Sequence, residues 1–264
     1  MNDATITSLA GAMRSAGLRG ALSRRWARVA AQRPVRLPLA RPVVSFSFDD
    51  VPRSACLVAS QLLQARGVRG TYYICTGLTG LPGAASPEPH HSWDDLLGLH
   101  QAGHQLACHG RWHVDAQALN EGQLLRDTSA NVQALQARGL LQAGAPVDFA
   151  YPFGCVNARA KRNVALRYRS ARGVQPGPHV GMADLNLLRG TALYAGPGAA
   201  DQALGWIDRT VRSQGWLIFF THGVSASPGP FDATPQLLSQ VLDHALARGC
   251  EVLTVDQVLS RCGA

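Results

Sequence analysis

Val43-Val44-Ser45-Phe46-Ser47-Phe48-Asp49-Asp50 is a run of β-branched and aromatic residues that stops abruptly at two acids. Such a run reads as a buried strand delivering charge to its C-terminal tip, the end at which α/β folds place their chemistry. Further along stands His109-Gly110-Arg111-Trp112-His113. Two histidines four apart share one face of a helical turn and can bind a single divalent metal, with a carboxylate as third ligand.

Outward from the first strand, short apolar runs alternate with helical stretches closed by glycine, the signature of βα units. The pattern predicts strands at 43–48, 69–75, 104–108, 147–151, 168–171, 185–188, 216–221 and 251–254. Between them it predicts helices at 53–66, 121–138, 158–166, 200–213 and 235–248, and a last short helix from Asp256. Ser92, with Asp95 at the third position, caps one more helix that Gly103 ends; 78–91 reads as a loop. Seven or eight such units in this length predict a closed or nearly closed α/β barrel, a distorted (β/α) barrel of about seven strands. Asp49-Asp50, His109, Tyr151-Pro152-Phe153-Gly154 and His222 each follow a predicted strand, so they converge on one rim.

The 264 residues carry a formal charge of +8, but the charge is local. Residues 1–41 hold eight Arg against Asp3 alone, +7, which leaves +1 for the rest. The chain therefore divides into a basic N-terminal extension, 1–41, and a catalytic domain, 42–264. The extension reads as a solvated or locally packed helix broken at Pro34; the other reading is a surface helix that approaches anionic lipid. Arg interrupts its apolar stretches before an export h-region of roughly 7–15 residues can form. The expected location is therefore cytoplasmic, at most on the inner face of the membrane. The six cysteines lack a C-x-x-C pair and are expected as reduced thiols, with Cys75, Cys108 and Cys155 at predicted strand ends near the site. A nearly neutral folded region without a recognised binding module excludes nucleic acid as a partner.

In order, Phe-Ser-Phe-Asp-Asp, His-x-x-x-His, Tyr-Pro-Phe-Gly and Phe-Thr-His-Gly resemble the motif series of the polysaccharide deacetylase family, metal-dependent carbohydrate esterases related to rhizobial chitooligosaccharide deacetylase. The resemblance covers 43–255 and implies the deacetylase-type barrel. It implies Asp50, His109 and His113 as ligands of a divalent metal, zinc by expectation. It implies Asp49 as the base that takes a proton from water and His222 as the acid that protonates the leaving amine. The backbone N–H of Phe153 is implied as a donor to the oxyanion. The chemistry suits an amide, which needs a polarised carbonyl, a nucleophile near neutral pH and a proton for nitrogen.

One position departs from the family pattern. Two residues before Pro152, where the family usually carries an Arg that pairs with the base, this chain has Ala150. Arg172, after the next predicted strand, is the candidate replacement, against the alternative of a surface Arg. Asp184 is a candidate to orient His222, or a turn residue. Arg53 and Arg111 are rim candidates for an anionic substrate such as a phosphorylated carrier, against a reading as solvated side chains. The expected activity is removal of an N-acetyl group from a sugar in cell-surface glycan assembly (O-antigen, capsule or lipopolysaccharide), on a lipid- or nucleotide-linked saccharide. The alternatives are a formamide or cyclic ureide hydrolase with the same parts, and a catalytically silent glycan-binding module.

Overall fold

The computed structural model describes residues 29–83 and 88–264. Most of the amphipathic reading of the N-terminal extension, 1–28, lies outside the described residues. Strand β2 (Val43–Asp49) is buried along its whole length, as expected of a strand with sheet on both sides and layers on both faces. Its parallel neighbours are β3 (Thr71–Ile74) and β9 (Trp216–Thr221). From β3 the sheet continues through β4 (Gln105–Cys108) and β5 (Asp148–Ala150) to β6 (Ser170–Arg172); beyond β9 lies β8 (Thr191–Ala192). A short β10 (Glu251–Val252) pairs with the start of β2. The sheet curls into a distorted (β/α) barrel. Hydrogen bonds from the 185–188 segment to Ala171 and Gly173 on the β6 side, followed by β8 against β9, draw its two edges together.

Helices pack outside: α1 (Ser60–Gln64), entered through a π-helical turn at Ala55–Ala59, α2 (Trp93–Gln101) and α3 (Glu121–Gln136). Then follow α4 (Ala158–Ala165), α5 (Ala199–Ser213), α6 (Pro235–Ala247) and α7 (Val255–Arg261). The starts are written in the sequence. Ser92 and Asp95 form a reciprocal capping box on α2, Asn120 and Gln123 another on α3, and Thr234 caps α6 just before Pro235. Val44, Phe46 and Phe48 face this helical layer with Leu217, Phe219, Leu238 and Val241. Ser45, Ser47 and Asp49 have the opposite parity and face the barrel interior, where the Trp216 indole donates to Ser45 Oγ at 2.9 Å.

The departures from the sequence reading concern short strands. The predicted strand at 185–188 is a hydrogen-bonded edge; the strand falls just before it, at β7 (Met182–Asp184), antiparallel to β1 (Pro34–Arg36). That pairing holds part of the basic segment against the barrel. Arg33 donates to the carbonyls of Ala165 and Tyr168, Lys161 Nζ to the carbonyl of Ala30 at 2.9 Å, and Leu37 is buried beside Trp216. Asp184 is consumed here. It pairs with buried Lys161 at 2.6 Å and accepts from the Arg33 and Asn186 N–H groups, so it does not orient His222. The buried Lys161 ammonium needs an anionic partner, and Asp184 supplies it. No helix among the described residues is long and apolar enough to cross a membrane.

Candidate metal centre and active site

The two acids at the end of β2 part company because the backbone turns between them. Asp49 keeps the inward parity of the strand, whereas Asp50 and Val51 both have φ of 57°, a left-handed conformation that β-branched Val rarely adopts. The Val51 N–H donates back to the Asp49 carbonyl at 2.5 Å. Buried His91 steadies the turn: its N–H and its Nδ1 both reach the Val51 carbonyl at 3.0 Å, and Nε2 meets Thr79 Oγ1 at 3.1 Å. Desolvation lowers the His91 imidazole to about 4, against the pull of that carbonyl. It is therefore neutral at physiological pH, with Nδ1 as donor.

Asp50 is thereby aimed at the rim. Its Oδ1 lies 3.6 Å from His109 Nε2 and 3.4 Å from His113 Nε2, and one donor atom from each of the three lies within 4.8 Å of the others. His109 Nδ1 donates to the Ala150 carbonyl at 2.9 Å, which fixes the ring and leaves the Nε2 lone pair toward the cluster. The positive φ at His113 (52°) and the Asp127 carboxylate, which accepts from the Arg111 and Trp112 N–H groups, shape the loop that returns His113. Electrostatics suit a cation. Burial pushes the Asp50 carboxyl up, but His113 and His109, with His222 and His90 behind them, hold it at about 2. Burial drops the His113 imidazole to about 4 in spite of Asp50. One anionic carboxylate and imidazoles with free nitrogens form a donor set fit for a divalent metal with open positions. The Cys75 thiol lies 3.7 Å from Asp50 Oδ1, whereas Cys108 Sγ accepts from Asn131 and Tyr168.

Asp49 meets a cation inside the barrel. Nη2 of Arg172 lies 2.5 Å from both Asp49 carboxylate oxygens, and Nη1 donates to the Gly173 carbonyl at 3.0 Å. Ala150 and Arg172 are register partners on adjacent strands, so the guanidinium enters one strand over from the position where the sequence lacks it. Burial alone works against the Arg172 charge, yet Asp49, by its charge and its hydrogen bonds, keeps the pKa above the ordinary value; the guanidinium also lies over the Tyr73 and Phe220 rings. Gly190 makes room: a Cβ there would stand 2.5 Å from the Gly173 carbonyl and 3.2 Å from the Arg172 side chain.

His222, at the end of β9, donates from Nδ1 to the Phe231 carbonyl at 3.1 Å, with its other nitrogen free to exchange a proton. Phe153 occupies a turn with φ of 59°, its ring 4.2 Å from that of His113. The structure thus brings Asp49, Asp50, His109, His113, Phe153, Arg172 and His222 to one end of the barrel. Of the rim arginines, Arg53 is engaged with Asp95 at 3.4 Å, and Arg111 extends over the exposed Trp112 ring. Tyr194 also belongs to this end, with its ring 6.0 Å from that of His222. Sequence reasoning missed it because β8, which delivers it, has only two residues; the Gly-Thr-Ala-Leu-Tyr run was the available signal.

The sequence model of one family, described as polysaccharide deacetylase, matches residues 37–170, just over half of the chain. Functionally curated proteins give no match. Among solved structures, the chain is similar to the chitin deacetylase of the fungal pathogen Colletotrichum lindemuthianum, with a TM-score of 0.58 and 17% identity over 84% of this chain and 89% of that one. It is similar to a family 4 acetyl xylan esterase from Clostridium thermocellum in complex with a cobalt ion (0.57, 18%, 84% and 92%). A third similar structure is the CE4 domain of a multidomain xylanase from the hindgut metagenome of Trinervitermes trinervoides (0.57, 15%, 85% and 92%). At such identities the likeness is one of fold.

Proposed function

The chain belongs to the polysaccharide deacetylase family, and on that premise we propose that it is a metal-dependent hydrolase that removes an N-acetyl group from a sugar during assembly of a cell-surface glycan. The observation that carries this reading is the division of labour at the end of β2. Asp50 faces two imidazoles while Asp49, one residue before it, is held by Arg172.

In the proposed reaction Asp50, His109 and His113 hold a divalent metal, zinc by preference, which supplies Lewis acidity for the acyl oxygen and for water. Asp49 takes the proton of the attacking water, and Arg172 keeps that carboxylate oriented. The Phe153 N–H, set by its left-handed turn, donates to the oxygen that becomes negative. His222, its Nδ1 held by the Phe231 carbonyl, delivers a proton from the other nitrogen to the departing amine.

For the substrate we favour a saccharide carried on a nucleotide or a lipid, used in O-antigen, capsule or lipopolysaccharide synthesis at the inner face of the membrane. The exposed Arg111, two residues before His113, and the basic segment 1–41 as a membrane contact, support that choice. Metal analysis coupled to acetate release across a panel of acetylated sugar nucleotides and lipid-linked saccharides tests it. Acetate from one member, lost in Asp49→Asn with metal retained, is the expected result. Bound metal with formate or ammonia as product, or saccharide binding without turnover, refutes it.

A further inference from the structure

β8 and β9 run in parallel with Thr191 opposite Phe219 and Ala192 opposite Phe220, and the Leu193 N–H donates to the Phe220 carbonyl at 2.8 Å. Continued by two residues, that register sets Tyr194 beside His222 at the same end of the barrel. The ring is fixed on three sides. It packs edge-on against Phe220 at 5.7 Å and Phe231 at 5.6 Å, and tilted against His222 at 6.0 Å. The Ala195 N–H donates to the Asp232 carbonyl at 2.7 Å and anchors the backbone just beyond.

The hydroxyl has no hydrogen-bond partner among the described residues, although charged groups stand near it: Asp49, Arg172, Asp50 and Asp232. The obvious acceptors are already engaged. Both oxygens of Asp49 are held by Arg172, Oδ1 of Asp50 faces Cys75 and the two metal-site imidazoles, and Asp232 accepts from the Gly223 and Gly229 N–H groups. Burial, reinforced by the acids, raises the phenol above its ordinary range, so it remains a donor at physiological pH. A rigid, partly buried donor beside the proposed proton donor, with no acceptor of its own, is organised for something that enters the cleft.

We propose that Tyr194 is a specificity-determining contact: its hydroxyl donates a hydrogen bond to a sugar oxygen on the leaving-amine side of the scissile bond, so that the site selects amino-sugar amides. The inference rests on the deacetylase reading above and adds a substrate contact to it. Because Tyr194 stands with His222, it touches the sugar half of the substrate and leaves the acyl half alone.

The test compares wild type with Tyr194→Phe, both as metal-loaded full-length chain, on the panel member that releases acetate fastest. The expected result is a fall of about 10-fold in kcat/KM, the worth of one neutral hydrogen bond, with metal content unchanged. Calorimetry with the two products then locates the effect: Tyr194→Phe weakens the deacetylated amino sugar by about the same factor and leaves acetate binding unchanged. Equal kinetics in the two proteins, or equal weakening of both products, overturns the inference while the deacetylase reading stands. A wild type that releases acetate from no panel member overturns both.

Discussion

Replacing Arg172 by Met removes the only cation in contact with the Asp49 carboxylate among the described residues, at a place where both side chains are nearly out of water: Arg172 is 0% and Asp49 5% exposed. A buried charge left without its partner costs about 3–5 kcal/mol, a large part of the roughly 5–15 kcal/mol that holds a domain together. With a urea dependence of about 2 kcal/mol per molar, the unfolding midpoint moves down by roughly 2 M. Asp49→Asn alone leaves the guanidinium stranded between Tyr73 and Phe220 and is costly for the same reason. The double variant removes both charges, so its loss falls short of the sum of the singles by about 3 kcal/mol. Urea unfolding in EDTA measures all four proteins without a contribution from metal. Additivity within about 0.5 kcal/mol refutes the pairing as an energetic unit. The catalytic counterpart is Arg172→Lys. The shorter lysine side chain stops short of the point from which Nη2 touches both Asp49 oxygens, and activity falls at least about 100-fold, the lower range for loss of a base, with metal retained. A fully active Arg172→Lys protein refutes the orienting role.

Two further expectations follow from neighbouring packing and from pH. Gly190→Ala forces a methyl against the Gly173 carbonyl and the Arg172 side chain; it should cost about 1–3 kcal/mol and reduce turnover without loss of metal, and an unchanged protein on both counts argues against Gly190 as the brace. Buried His91 has its imidazole lowered from an ordinary 6.5 to about 4, so the unfolded chain takes up the proton first as pH falls. Its contribution is intact above pH 6.5, declines as pH drops toward 4 and is then exhausted, about 3 kcal/mol in all. Urea midpoints of the metal-free protein between pH 7 and pH 4 should therefore fall more steeply in wild type than in His91→Gln. Parallel profiles exclude His91 as a source of the acid sensitivity.

What the sequence made legible follows from how long each signal is. β2 and β9 are long apolar runs ending at Asp49 and His222, and their period and termination are readable without a structure. The capping residue Ser92 marks a helix start in the same local way. β1, β7 and β8 have three residues or fewer and fall outside the regular strand–helix alternation that placed the equally short β5, β6 and β10, so their placement depends on partners far away in the chain. Tyr194 was lost with β8. The fate of Asp184 was equally invisible, because its partner Lys161 is brought to it by packing of α4 against the β1–β7 pair. The opposite directions of Asp49 and Asp50 depend on two left-handed residues, and nothing in Asp-Asp-Val announces them.

The register match of Ala150 with Arg172 bears on how inheritance is read in chains of this kind. Written as letters, an arginine missing from one column and present in a later one is two unrelated events, and the first resembles decay of an enzyme. On the barrel the two positions are register partners on adjacent strands, and Arg172 reaches the Asp49 carboxylate from the second of them. A relative with a small residue before its Pro-Phe-Gly turn is therefore best judged by the end of its next strand. One that lacks arginine at both places is the stronger candidate for a protein that has kept the barrel and given up the reaction.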